Sequence, residues 1–290
     1  MKKLMLCLLI LVSLAGIIHA QDDPYDIALQ LIQAALETDA TELNLELLNL
    51  SELPLEIGQL IHLEVLRLND NHLVELPSEI GQLVNLETLL LGSNDLAVLP
   101  DEISQLQALT YLSLTNNAFE VFPASITELV NLEQLHMAYN AIVLLPPEIG
   151  RLTHLEQLSL ENNALIELPA EIGALSNLRH LDLNWNQLTT IPPEIGQLVN
   201  LTHLELMENQ LVVLPHEIRL MTNLRFINIG RNQFAILPLE LTQLDQLEVI
   251  YRFDNPLMYP PQDVIDAEQI KAYLSLLNLP LIGILGGIIS

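Results

Sequence analysis

The chain has 290 residues, half of them hydrophobic and 16% charged, which is ample to bury a core. Its 37 acidic residues against 10 basic ones give a net charge of −27. That balance argues against nucleic acid and anionic membrane as partners, and leaves cationic proteins, peptides or metal ions, or plain solubility.

The first twenty residues combine a basic start (Lys2, Lys3), an uncharged apolar run from Leu4 to Ile18 and small Ala20 before polar Gln21. This predicts a secretory signal peptide over 1–20, with an uncleaved anchor as the alternative; the short basic start has a bacterial character. Cys7 precedes most of the apolar run, which disfavours a lipoprotein. It is also the sole cysteine, so a chain cleaved after Ala20 has no disulfide, thiolate metal site or cysteine nucleophile. Cleavage removes two bases and no acid, leaving 8 bases against 37 acids, a net −29. Next, Asp26 to Glu37 places Ile27, Ala28, Leu31, Ile32, Ala35 and Leu36 on one helical face, so 21–42 is expected to form an N-terminal helical cap.

From Leu43 a repeat takes over. With Leu66 as position 1, the unit LRLNDNHLVELPSEIGQLVNLET has Leu at 1, 3, 8 and 11, Asn at 6, Pro at 12, Glu at 14, Ile at 15, Gly at 16, and Leu at 18 and 21. Ten units begin at Leu43, Leu66, Leu89, Leu112, Leu135, Leu158, Leu181, Leu204, Ile227 and Ile250, always 23 residues apart, covering 43–261. Positions 1 and 3 of a short strand point to the core while 0, 2 and 4 point away. The position-6 Asn, present in nine units from Asn71 to Asn255 and replaced by Leu48 in the first, can satisfy backbone groups at the turn. The E-I-G-x-L-x-x-L segment after Leu-Pro reads as a short helix or helical turn, with its Glu in the first turn on a solvated outer face.

The string LxLxxNxLxxLPxEIGxL closely resembles the 23-residue leucine-rich repeats of plant intracellular Ras-group proteins, Scribble-type scaffolds and bacterial Roco-like proteins. The resemblance implies an α/β solenoid, a right-handed leucine-rich-repeat horseshoe with a parallel sheet on its concave side, used mainly for protein–protein contact. It carries over no catalytic residue, and no GxxxxGK[ST] phosphate loop accompanies it.

After the repeats, Pro260-Pro261 and a stretch from Asp263 to Leu277 predict a closing helix within 262–290. Residues 272–290 lack charge but contain Asn278, Pro280 and three glycines, so a cap helix with an apolar tail is preferred to membrane contact. Arg252 stands where an aliphatic residue is expected at position 3, which predicts a distorted last strand.

Functional information should lie in outward-facing strand residues. Of twelve aromatics, Phe119, Phe122 and Phe234 fall at core positions and three tyrosines in the caps. The other six, Tyr111, Tyr139, Trp185, Phe226, Tyr251 and Phe253, fall on the strand segment of units four to ten. Together with His136, Glu161, His180, Asp182, His203, Glu205 and Arg231 they form the expected partner surface. The bland alternative is that strand propensity alone gathers aromatics there. His180 beside His203 and Asp182 beside Glu205 make a two-by-two patch; a divalent metal, a pH-sensitive contact and a solvated polar floor all suit it, and no metal or cofactor is expected. Carboxylates 161, 182, 205 and 208 near Trp185 suggest glycoside hydrolysis only weakly, because an open sheet offers little burial to shift a carboxylate. The expected function is therefore an exported, non-catalytic binding protein for a protein or peptide, cationic ligands included, without nucleic acid. A structural cell-envelope component or a carbohydrate-binding protein is the alternative.

Overall fold

The computed structural model describes residues 23–257, together with Glu268 and Ala272, both helical. Apart from those two residues, the expected leader, closing helix and apolar tail lie outside the described residues. Helix α1 (Pro24–Glu37) opens on Asp23, whose side chain accepts the Tyr25 N–H, and Pro24 sits where a missing N–H costs nothing. Its Ala28, Ile32 and Ala35 are buried in the common core, as the helical spacing predicts.

Ten three-residue strands follow: β1 (Glu42–Asn44), β2 (Val65–Arg67), β3 (Thr88–Leu90), β4 (Tyr111–Ser113), β5 (Gln134–His136), β6 (Gln157–Ser159), β7 (His180–Asp182), β8 (His203–Glu205), β9 (Phe226–Asn228) and β10 (Val249–Tyr251). They form one parallel sheet in chain order, each residue registered to the one 23 positions on, Leu43 to Leu66 and His180 to His203. The sheet is the inner wall of an open solenoid. Each strand from β1 to β9 passes through a leucine, phenylalanine or isoleucine and then a proline into a five-residue 3-10 helix, the first Leu55–Gln59 and the last among the described residues Leu239–Gln243. The proline caps the helix without an N–H of its own, and its carbonyl accepts from the isoleucine three residues on, as Pro54 does from Ile57 at 3.1 Å. Leucines and isoleucines from strand and helix meet in one continuous core, joined by Phe119, Phe122 and Phe234.

Two devices set the spacing of units. Asn71 donates through Nδ2 to the carbonyls of Leu45 at 2.9 Å and Leu68 at 3.0 Å, and accepts through Oδ1 from the Leu50 N–H at 3.0 Å. The same triad recurs down to Asn255, so each asparagine ties its own turn to the preceding one. On the far side the glycines at position 16 let adjacent 3-10 helices touch: a Cβ on Gly196 would stand 2.5 Å from the Glu217 carbonyl oxygen. That contact half-buries several of the position-14 glutamates expected on a solvated face, Glu56 and Glu217 among them.

The expected distortion at Arg252 is absent. Strand β10 keeps full register with β9 through Tyr251, and the Arg252 carbonyl still accepts from Asn255 Nδ2 at 3.0 Å. Register here is held by backbone and by Asn255, so the buried Arg252 side chain does not decide it.

Candidate functional site

Positions 0 and 2 of each strand point away from the core, and the sheet lines them up unit by unit. The decisive local feature lies one step beyond the strand. At position 5 every unit has positive φ: Asp70, Ser93, Asn116, Tyr139, Asn162, Trp185, Glu208, Arg231 and Asp254 lie between 52° and 56°, and Leu47 at 61°. The left-handed residue turns the chain so that the following asparagine reaches inward, while its own N–H continues the sheet ladder, as Trp185 does to the Met207 carbonyl at 2.8 Å. Asp and Asn tolerate this conformation; Tyr, Trp and Arg do so at a cost.

On the strands themselves, side chains at positions 0 and 2 form a row of rings. His180 and His203 stack at 5.5 Å and 11°, His203 stacks on Phe226 at 5.6 Å, and Phe226 meets Tyr251 edge-on at 5.4 Å. Tyr111 stands apart from this row with His136, at 5.2 Å, because Gln134 and Gln157 occupy the intervening register positions. Tyr139 is 48% exposed and its hydroxyl reaches Glu161 Oε1 at 3.4 Å; Trp185 is 44% exposed. The Glu161 charge, with some burial, raises the Tyr139 phenol. Phe253 lies over Gly230, where a Cβ would come within 3.0 Å of the ring, and under the Arg231 guanidinium at 5.9 Å.

Beside the rings sits the polar cluster. One ligand-capable atom each of His180, Asp182 and Glu205 lies within 4.8 Å of the others. His203, the fourth member of the expected patch, instead has Nδ1 2.9 Å from Thr202 Oγ1. Asn184 organises the carboxylates: its N–H donates to Asp182 Oδ1 at 3.0 Å and its Nδ2 to Glu205 Oε2 at 2.7 Å. Burial pushes the Asp182 carboxyl up to about 7, opposed by the Asn184 hydrogen bond and reinforced by Glu205 and Glu161. Burial also lowers His180, with Glu205 opposing and His203 adding to it, and lowers His136, which feels His180 as well. An open sheet therefore does shift a carboxylate: strands about 4.8 Å apart crowd neighbouring side chains enough to desolvate Asp182, contrary to the expectation from openness.

Arg231 is no free cation. It is clamped between Glu208 Oε1 at 2.6 Å and Asp254 Oδ2 at 3.2 Å, hydrogen bonds that raise its guanidinium further. Several position-2 and position-4 residues, Ala138, Asn184, Asn228 and Gly230, are buried by neighbours and offer little surface. Sequence reasoning overlooked the left-handed turn, the bridging role of Asn184 and the carboxylates around Arg231. It also passed over a line of exposed aliphatics at positions 9 and 10, such as Val74, Val121 and Val213, legible as valines beside a buried leucine or phenylalanine.

The chain matches a leucine-rich repeat region family over residues 89–186, a leucine rich repeat family over 176–234 and a further one over 62–83. No curated protein matches it. Among solved structures it is similar to a leucine-rich-repeat protein of Leptospira interrogans, at 37% identity and TM-score 0.66, over 81% of this chain and 65% of that one. It is also similar to a TDR receptor, at 28% identity and TM-score 0.70, over 77% and 41%. The Arabidopsis receptor kinase HAESA, solved with the peptide hormone IDA and the co-receptor SERK1, is similar at 26% identity and TM-score 0.66, over 76% and 39%. The chain thus spans 65% or less of the length of each of these structures.

Proposed function

This chain is a leucine-rich-repeat protein, and from that premise we propose that it is an exported, non-catalytic binding protein whose open sheet face holds a protein or peptide across β4 to β10. Export rests on the leader read in 1–20. HAESA, a receptor of similar fold, was solved with a peptide hormone, which supports a peptide as the class of ligand. The carboxylates of Glu161 and Glu205 and the overall charge of −27 favour a ligand with basic side chains.

One observation carries the reading: Tyr139 and Trp185 hold large, nearly half-exposed rings at left-handed positions. Strand propensity explains aromatics at positions 0 and 2, but position 5 lies beyond the strand in a conformation that disfavours them. Each costs roughly 1–2 kcal/mol there, and the fold needs neither, since Asn116 and Asn162 make the same turn. Exposed Tyr and Trp repay such a cost when a partner buries them.

The test is the double variant Tyr139→Asn/Trp185→Asn of the full chain, measured against peptides selected from a random displayed library on the unaltered protein. Because Asn suits the turn, the variant keeps its fold by circular dichroism. Selected peptides should lose at least about thirtyfold in affinity, two hot-spot side chains being removed. Equal affinity for both proteins would refute this binding surface, and selection of glycans but no peptides on a parallel array would refute the ligand class.

A further inference from the structure

The register of β7 and β8 brings one imidazole and two carboxylates to a common point. His180 and Asp182 are two residues apart on one strand and leave the same face, while Glu205 stands directly beside Asp182. Their donor atoms lie within 4.8 Å of one another. Neither carboxylate pairs with an arginine or lysine among the described residues. Each is instead oriented by Asn184, which engages Asp182 Oδ1 and Glu205 Oε2 and leaves a second oxygen on each. The His180 ring is held in place by its stack on His203. Two strands away on the same face, His136 Nε2 is buried with no hydrogen-bond partner among the described residues.

We propose that His180, Asp182 and Glu205 are the protein ligands of a site for a transition-metal dication of the zinc class. One nitrogen and two carboxylate oxygens suit zinc better than calcium or magnesium, which take oxygen shells. Asn184 fills the role of the outer partner that fixes ligating carboxylates. Three protein ligands leave a coordination position on the open side of the sheet, accessible to water or to a side chain of a bound molecule. The site goes beyond the peptide-binding surface and does not depend on it: metal uptake is read on the protein alone, and its failure leaves the role of Tyr139 and Trp185 untouched.

The experiment is calorimetric titration of the full, untagged chain, dialysed against a chelator, with zinc chloride near pH 7.5. One equivalent binds in a saturable step, weakened at least about tenfold by His180→Ala or Asp182→Asn, and calcium at equal concentration does not displace it. A chain of net charge −27 attracts any dication weakly, so Glu102→Gln, on the opposite side of the solenoid, serves as control and leaves the step unchanged. Histidine-ring 1H–15N spectra read the site without a substitution: zinc shifts a ring nitrogen of His180. Absence of a one-equivalent step, its persistence in the His180→Ala/Asp182→Asn double variant, or a zinc shift confined to His62, His72, His154 or His216 would overturn the proposal.

Discussion

Replacing Asp182 with Asn tests the electrostatics of the site without disturbing its shape, because an amide oxygen can still accept the Asn184 N–H. The native carboxyl is pushed from the ordinary 3.8 to about 7, chiefly by burial. Between those values the folded chain keeps a proton that the unfolded chain has released, so the unfolded state binds fewer protons and stability falls as pH rises. Three pH units at 1.36 kcal/mol each set an upper bound of about 4 kcal/mol, and relaxation of Glu205 and Glu161 brings the expected loss to about 2–4 kcal/mol. Well below pH 3.8 both states are protonated and the cost vanishes. Urea denaturation in the presence of a chelator, followed by circular dichroism at about pH 3, 6 and 8, should therefore give nearly matching midpoints for Asp182→Asn and the unaltered protein at the lowest pH. At pH 8 the variant should be the more stable by that amount. A variant that is equally or less stable at pH 8 would show that Asp182 is solvated and ionised in the fold, and the account of its burial would fail.

Two further substitutions test the scaffold. Asn186→Ala removes three donated bonds, to the Leu160, Leu183 and Asn184 carbonyls, and strands the Leu165 N–H; a loss of about 3 kcal/mol is expected from buried groups left unpaired, read as a lower urea midpoint, and a change under about 1 kcal/mol would mean the ladder is dispensable. Gly196→Ala places a methyl 2.5 Å from the Glu217 carbonyl oxygen and 2.7 Å from Glu217 Cβ. It should cost about 1–3 kcal/mol through forced separation of two 3-10 helices, whereas a stabilised variant on thermal melting would contradict the close contact.

What the sequence makes legible is whatever the repeat imposes identically on every unit. Leucine spacing and the position-6 asparagine predict the ten strands, their order and the buried face, and the strict interval of 23 predicts that His180 stands beside His203. Less legible is what depends on crowding between units. The elevated Asp182 arises chiefly from burial between neighbouring strands, reinforced by Glu205 and Glu161, 23 and 21 residues away, and no window around Asp182 contains these groups. The left-handed turn leaves no glycine to betray it: Asp70, Asn116, Asn162 and Asp254 hint at it, but Tyr139, Trp185 and Arg231 hide it. At Arg252 one aberrant side chain suggests a distortion that does not occur, because the strand's register is settled by its backbone partners.

Stability in a solenoid is close to a sum over units and their interfaces, so a costly residue in one unit is not excused by the cooperativity of a compact core. Among the residues that bear this cost at position 5 are Arg231, Tyr139 and Trp185, and they differ in what offsets them. Arg231 gains two carboxylate partners and a ring beneath it. Tyr139 gains one long hydroxyl contact with Glu161. Trp185 has neither a ring partner nor a hydrogen bond for its indole N–H among the described residues, although it is the largest of the three and pays the same turn. Intramolecular compensation thus falls from Arg231 to Tyr139 to Trp185, and the share that only an intermolecular contact can supply rises in the same order. The surface proposed for binding has its energetic centre at Trp185, beside the His180, Asp182 and Glu205 cluster, rather than at the longer ring row that ends on Tyr251, whose members already satisfy one another.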